Sequence, residues 1–476
     1  GATIALPLLA RVAIAATTKP AGSTSSWPPA QEPQPAMPAI TTTATGSILH
    51  TAGTLPDYFL GLSYEKVEFS GEPLFTPTNT SLAGLFNLLG NGVLAIGGNS
   101  MDQTIWMPDG PGNTPGQVSP ADIDNLAGFL ALTGWKLIYG LNLATSTPEL
   151  AAAEAAYAQA SLGNVLLAFQ IGNEPDEYSL SYFPVGWNLA SYETVWEEFR
   201  TAVVDAVPGA MFAGPSCGGN ETTWTVPFIS GPGGKQIALV TQHYYRGNGH
   251  SATATAKNLV SNDTTIVADC TALRFATGGM SLPFRFSETN SYLYGGAPGV
   301  SNAYASALWV IDHLFRIALG GGSGVNMQGG DQGYYTPIAN SGGTVIGAMP
   351  EYYGLLLVSL IGPGTLLSTQ LSTVALNITM YAVVTASGQT NIVIVNKELY
   401  QYVKLTIKCP QIIKSAELIE LQGDALTALT GQTLQGATVG TDGSFAMGAP
   451  YTAPNVSSYW VTCYVPAISA ILLRVS

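Results

Sequence analysis

Charge is scarce in this chain. Only 10% of its 476 residues are Asp, Glu, Lys or Arg, with 16 Lys plus Arg against 30 Asp plus Glu and a net charge of −14. No basic cluster stands anywhere along it. Nucleic acid and other dense polyanions need cations to match their phosphates or sulfates, so they are excluded as partners. Histidine is nearly as rare, at four residues, and the four cysteines form no CxxC pair. A zinc site is thereby left without its usual ligands, and no motif asks for another metal or a cofactor. Long apolar runs are missing too. The apolar stretch Ile4 to Ala16 is broken by Pro7 and Arg11 and falls short of the about 20 residues that cross a bilayer, so no membrane span is expected. It reads equally as a remnant of a secretory leader or as an extra strand. A Pro/Ser-rich connector follows from Pro20 to Pro38, so 1–38 is set apart from the folded units.

What the chain has is core material, 46% hydrophobic residues, arranged in two textures. Eight apolar runs of strand length succeed one another: Phe59–Tyr64, Val93–Ile96, Lys136–Leu141, Leu166–Ile171, Met211–Ala213, Ile237–Val240, Pro283–Phe286 and Gly324–Met327. Helix-like stretches separate most of them. Ser119-Pro120 fits an N-cap with proline at the first helical position, and Thr147-Pro148 opens an Ala-rich stretch that Gly163 can end. The span 246–281 between the sixth and seventh runs is long and polar, and loops walling a site are expected there. Eight strands alternating with helices predict a closed parallel (β/α)8 barrel over residues 53–357. Beyond it, over 358–476, short apolar runs come with Gly, Ser and Asn turns and no intervening helix, the pattern of an antiparallel β-sandwich. Residues 39–52, with Ile40-Thr41-Thr42-Thr43, read as one more strand joining that sandwich.

Two glutamates stand out against this frame. Glu174 follows the fourth run and Glu288 closes the seventh. A carboxylate at the tip of a buried strand costs several kcal/mol of desolvation unless something compensates, and barrels carry their chemistry at the C-terminal ends of their strands. Two such carboxylates at one mouth suit acid–base work on a glycosidic bond. About 5–5.5 Å between them favours the retaining route, in which Glu288 attacks the anomeric carbon and Glu174 gives a proton to the leaving oxygen and later takes one from water. Around them Asn173 can bond a sugar 2-hydroxyl, Tyr245 can donate to Glu288 or the sugar, and Glu65 and Asn99 can hold ring hydroxyls. His243 reads as a hydrogen-bonded structural histidine rather than a base.

Gly172-Asn173-Glu174-Pro175 and Glu288-Thr289-Asn290 resemble glycoside hydrolase family 79, the β-glucuronidase and heparanase family. So do Gly61-Leu62-Ser63-Tyr64-Glu65, Ile96-Gly97-Gly98-Asn99, the stretch Gly134 to Asn142, and Tyr334-Tyr335-Thr336-Pro337. The resemblance runs from about residue 39 to the C-terminus. It implies a retaining barrel with a β-sandwich, Glu174 as acid/base and Glu288 as nucleophile. It also implies a sugar carboxylate held by tyrosine hydroxyls and backbone N–H groups, with Tyr245 and Tyr335 as two of the tyrosines. The third falls on Leu293, flanked by Tyr292 and Tyr294, and Gln328 stands where a bacterial relative has histidine; both departures bear on the uronate preference more than on the mechanism. Arg246 follows Tyr245 and can turn toward the site.

An even cysteine count suits two disulfides. Three connectivities are open, and the distribution favours Cys217–Cys270 and Cys409–Cys463. Five sequons, at Asn79, Asn220, Asn262, Asn377 and Asn455, join the cysteines in pointing to a secreted glycoprotein, with two to four sequons used. The expected function is a secreted exo-acting β-glucuronidase on terminal glucuronic or 4-O-methylglucuronic acid of a carbohydrate substrate. A retaining β-glycosidase for a neutral sugar and a catalytically silent carbohydrate-binding barrel are the alternatives. Heparan sulfate is disfavoured by the missing basic clusters.

Overall fold

A computed structural model describes residues 40–331, 333–372, 375–453 and 455–476. The segment 1–38, read above as leader remnant or strand plus connector, lies outside the described residues. The chain begins in a long strand, β1 (Ile40–Leu55). Eight strands then close into a parallel barrel: β2 (Gly61–Glu65), β3 (Val93–Gly97), β4 (Lys136–Leu141), β5 (Leu166–Ile171), β6 (Phe212–Cys217), β7 (Leu239–Tyr245), β8 (Phe284–Asn290) and β9 (Gly324–Gln328). They pair in chain order, and β9 returns to β2. Every predicted run is a strand. Being covered on both faces, they read as apolar runs rather than alternations.

The covering helices start and stop where their ends say they should. In α1 (Thr80–Leu88) the Asn79 side chain accepts the Leu82 N–H. In α2 (Pro120–Thr133) the Asp122 carboxylate accepts the Ser119 N–H and hydroxyl, each at 2.8 Å, satisfying donors the helix leaves orphaned. Its apolar stripe, Ile123, Leu126, Phe129 and Leu130, is buried. Next come α3 (Pro148–Leu162), capped by the Thr147 hydroxyl, and α4 (Leu189–Ala206). The span 246–281 corrects the loop expectation: its second half is α5 (Thr265–Gly278), with Ile266, Cys270, Leu273 and Thr277 buried. Two more helices, α6 (Tyr304–Leu319) and α7 (Pro350–Ser359), follow β8 and β9.

Apart from two short two-stranded ribbons, Ile105–Trp106 with Gln117–Val118 and Ile338–Ser341 with Thr344–Ala348, the remaining strands form one curled sheet of eleven strands. Its members include β10 (Gly364–Leu371), β11 (Ile378–Thr385), β12 (Thr390–Asn396), β13 (Gln401–Lys408), β14 (Ala416–Gln422), β15 (Trp460–Val465) and β16 (Ser469–Val475). β1 stitches it together, antiparallel to β10 along its second half and parallel to β13 along its first. The sheet folds on itself around Ile394, Leu405, Val461 and Ile471. Tyr381 of β11 stacks on Phe315 of α6 at 4.4 Å. Beside them Asp312 of α6 pairs with Lys397 and accepts the Tyr381 hydroxyl. A buried pair of this kind is costly to break because a lone charge remains, about 3–5 kcal/mol. It keys the sheet to the barrel.

The disulfide expectation is corrected. All four cysteines are buried and free. Cys463 lies opposite Leu405, whereas Cys409 bonds Tyr459 four residues further along the same pairing. At about 3.4 Å per residue their Cα atoms are about 13 Å apart, beyond the about 7 Å a disulfide spans. Cys217 ends β6 at the barrel, and Cys270 faces Gly320 under α5. Each thiol fills core space as a small apolar side chain.

Candidate active site

β5 ends at Ile171, and the chain turns sharply to present Glu174. Gly172 makes that turn at φ 83°, and a Cβ there would stand 2.8 Å from the Tyr178 hydroxyl. Glu174 itself is left-handed at φ 48°, ψ 54°, a conformation costing a non-glycine residue about 1–3 kcal/mol and typical of functional sites. Its N–H is fixed by the Ser216 carbonyl at 3.0 Å. The bend is held from beneath by Asp102, just after β3. One Asp102 oxygen accepts the Leu143 and Ala144 N–H groups, and the other accepts the Asn173 N–H and the Tyr178 hydroxyl. Sequence reasoning missed Asp102. The available signal was an acid set in an apolar, cation-poor stretch behind Gly97-Gly98.

Glu288 lies within β8 and is 8% exposed. Tyr245, the last residue of β7, donates its hydroxyl to Oε1 at 2.8 Å. His243, two residues earlier on the same face of β7, puts Nδ1 3.0 Å from Glu174 Oε1 and 3.7 Å from Glu288 Oε2. This histidine is structural in being hydrogen-bonded, but it stands between the two carboxylates. Burial pushes the Glu288 carboxyl up, with Glu174 and Glu65 adding to the rise while His243 and the Tyr245 hydroxyl oppose it. For His243 burial alone works downward. Glu288 first and then Glu174 outweigh it and hold the imidazole pKa above its ordinary value. Glu288 and His243 therefore each bear on the other's protonation.

The other expected residues divide into two groups. Asn173 is 3% exposed, its Nδ2 3.5 Å from Asn99 Oδ1, and its own Oδ1 has no protein partner. A buried unpaired acceptor is unfavourable unless a ligand hydroxyl fills it. Tyr335 packs its ring 5.9 Å from Tyr245, and burial followed by the Glu288 charge raises its hydroxyl pKa. Asn290 bonds the Tyr335 and Gln328 carbonyls, at 2.9 Å each, and so holds the loop that carries Tyr335. Gln328 is buried at the β9 tip with Oε1 unpartnered. Glu65 faces the site but its oxygens are engaged by the N–H groups of Asn99 and Ser100 and the Ser100 hydroxyl. That makes it a brace for the loop after β3. Gly98 permits this, since a Cβ there would lie 2.3 Å from the Glu65 carboxyl.

The strand-seven loop is not brought in as expected. Arg246 pairs with Asp263 at 2.8 Å and bonds the carbonyls of Asn258 and Ser261, turned into its own loop. The Tyr292 hydroxyl is engaged by Arg246, and Tyr294 is 66% exposed against His250. Leu293 exchanges backbone bonds with Gly247 and Gly249. Glu174, His243 and Glu288 could together ligate a metal ion, their ligand atoms lying within 4.8 Å of one another.

A closed parallel barrel with a carboxylate after its fourth strand and another on its seventh is the arrangement of a glycoside hydrolase. The comparisons agree in class. No family model matches the chain. It is 25% identical over 375 residues to a β-glucuronidase of Neurospora crassa, 68% of this chain and 67% of that one. It is 28% identical over 260 residues to a β-glucuronidase of Aspergillus niger, 48% of each. With a mouse (Mus musculus) heparanase the identity is 27% over 264 residues, 52% of this chain and 48% of that one. The chain thus matches about half to two thirds of the length of these relatives. Among solved structures, a 4-O-α-L-rhamnosyl-β-D-glucuronidase from Fusarium oxysporum shares the fold at TM-score 0.74 and 19% identity, over 90% of this chain and 99% of that one. A GH51 arabinofuranosidase from Xanthomonas axonopodis shares it at 0.68 and 16%, over 92% and 100%. The likeness to glycoside hydrolase family 79 read from the motifs fits these relatives. Among the described residues no helix is long and apolar enough to cross a membrane.

Proposed function

We propose that the protein is a secreted, retaining exo-β-glucuronidase that removes terminal glucuronic or 4-O-methylglucuronic acid from glycans. The observation that carries the mechanism is the closeness of Glu174 and Glu288, whose oxygens lie with the His243 nitrogen inside 4.8 Å. That is near the about 5–5.5 Å of a double displacement and short of the about 6.5–9.5 Å that lets water in between. Glu288 attacks the anomeric carbon while Glu174 protonates the leaving oxygen, then Glu174 draws a proton from the water that releases the sugar. Tyr245 holds Glu288 in place through its hydroxyl. The unpartnered Asn173 Oδ1 is the acceptor for the 2-hydroxyl, a bond that tightens in the transition state.

The uronate reading draws on the β-glucuronidase relatives and on Tyr245 and Tyr335 standing together. One observation favours the neutral-sugar alternative: Arg246 is committed to Asp263, and neither Tyr292 nor Tyr294 faces the pair. The deciding measurement is kcat/KM on 4-nitrophenyl β-glucuronide against the β-glucoside, with NMR of the first-formed anomer. A β-anomer and a faster glucuronide support the proposal. A glucoside faster by about tenfold, about 1.4 kcal/mol of transition-state binding, replaces it with a neutral β-glycosidase.

Secretion draws on the sequons. Asn262 and Asn455 are exposed. Asn220 is exposed as well, with its amide nitrogen on Asp176. The nitrogens of Asn79 and Asn377, the atoms a glycan would take, bond the carbonyls of Leu74 and Gly343 and of Val260. Occupancy is expected at Asn262 and Asn455 and not at Asn79 or Asn377.

A further inference from the structure

Among the described residues, part of the curled sheet carries no covering layer. β11, β12 and β16 lay Tyr381, Val393 and Leu472 against the barrel side, whereas β13 and β15 turn the rings of Tyr402, Trp460 and Tyr464 to water. Their inward positions, such as Leu405, Ile407, Val461 and Cys463, already fill the sheet's own core. Nevertheless Tyr402 is 40%, Trp460 42% and Tyr464 46% exposed on the outward side. Rings of this size are unfavourable in water, and a group of them on one face marks a binding surface.

The arrangement is ordered. Trp460 and Tyr464 point the same way four residues apart on β15, about 13 Å at about 3.4 Å per residue. Opposite each ring stands a lysine of β13: Lys404 lies 6.0 Å from the Tyr464 centroid and Lys408 5.9 Å from that of Trp460. Between the two ring–lysine pairs the Thr406 and Thr462 hydroxyls bond each other at 3.0 Å. In a chain of net charge −14, no outward position of β13 or β15 is Asp or Glu, nor is any in the part of β1 beside them.

We propose that this face binds a polysaccharide chain carrying sparse uronate groups, apart from the barrel mouth. The flat rings take the apolar faces of pyranoses two or three units apart along the chain, and Lys404 and Lys408 attract the carboxylates. Two cations on an apolar strip suit a glycan with scattered charge and not a dense sulfated or phosphorylated chain.

The test is retardation of the full chain in native gels containing glucuronoxylan or uncharged xylan, with Glu288→Gln as the background so that the probe is not consumed. Glucuronoxylan should retard it more than xylan does, and salt should weaken the difference. Adding Trp460→Ala and Tyr464→Ala should weaken binding by about tenfold or more. The same pair in the active chain should leave kcat/KM on an aryl glycoside unchanged. Lys404→Gln with Lys408→Gln should abolish the preference for the charged glycan, and this pair serves should the aromatic variant fail to fold. Undiminished retention of the folded aromatic variant overturns the proposal. So does a preference that survives loss of both lysines, or a dimer that the aromatic variant converts to monomer, which would make the face a contact between copies. Turnover of aryl glycosides is read separately, so failure here leaves the active-site reading standing.

Discussion

Tyr245→Phe isolates one bond at the centre of the site. The hydroxyl donates to Glu288 Oε1 at 2.8 Å, a bond that favours the ionised carboxylate. Burial is the first cause that pushes Glu288 up, to about 7, and the Tyr245 bond is among the forces that hold it down. A hydrogen bond to a charged group contributes about 1.5–3 kcal/mol. At 1.36 kcal/mol per unit, its loss should raise the Glu288 pKa by about 1–2 units. The sign follows from the role. The nucleophile works only when ionised, so activity is present above its pKa and lost as pH falls through it. The acid limb of kcat/KM should therefore move to higher pH by about 1–2 units, while the alkaline limb stays near its place. Glu288 and His243 influence each other's protonation, so the limb belongs to the pair and the wild-type-to-variant difference is the quantity to read. The assay is kcat/KM on an activated aryl glycoside across the stable pH range. A profile scaled down with its acid limb unmoved would refute the reasoning and leave Tyr245 with a contact to substrate alone.

Glu288→Gln should remove turnover almost completely with the melting temperature preserved, because an isosteric amide cannot attack; a normal rate would reassign the nucleophile. Glu174→Ala should slow substrates with poor leaving groups far more than activated aryl glycosides, and added azide should yield the β-glycosyl azide, the α-product being the refuting result. Asp102→Ala should leave buried donors at Leu143, Ala144 and Tyr178 unpaired, at about 1–3 kcal/mol each, while the Asn173 N–H keeps the Tyr178 oxygen, and be read both as a lower melting temperature and as a lower kcat on poor leaving groups. Unchanged values of both would remove Asp102 as the support of the strand-four bend. Alkylation of the denatured, unreduced protein should find four free thiols, and reductant should not change its stability; a mass consistent with two disulfides would contradict the strand register given for Cys409 and Cys463.

The barrel was legible because its strands are buried on both faces. Phe59–Tyr64 and Val93–Ile96 read as unbroken apolar runs, and a charge at the end of such a run, as at Glu174 and Glu288, is conspicuous. Features made by contact between distant elements were not legible. Asp102 gains its meaning from the N–H groups of 143, 144 and 173, which its own neighbours in sequence do not reveal. His243 stands between two carboxylates because β5, β7 and β8 bring their tips to one mouth. The α5 stripe of Ile266, Cys270, Leu273 and Thr277 is thin, one polar member in four, and was lost among the Thr, Asp and Asn of the span before it. Cysteine number suggested disulfides, but pairing is decided by register, and β13 against β15 sets Cys409 and Cys463 four residues out of step.

The mouth sets Glu174 and Glu288 beside one imidazole, and two of the basic side chains behind and beside it are already committed. Lys66 is paired with Glu154 behind β2, and Arg246 with Asp263 in the loop after β7. A uronate entering this site would find hydroxyls and N–H groups, with Lys66 and Arg246 already paired. Its carboxylate would add a like charge to a cluster that already raises the Glu288 pKa, so binding should weaken as pH rises and Glu288 and His243 deprotonate. A neutral sugar meets no such penalty. The pH dependence of KM for glucuronide relative to glucoside therefore carries the same information as their rates at one pH. A glucuronide KM that rises with pH while the glucoside KM stays flat is the signature of a carboxylate recognised by tyrosines and backbone within an acidic pocket. Parallel KM profiles would place the sugar's C6 group away from the cluster, and the account of Tyr335 as its donor would fall.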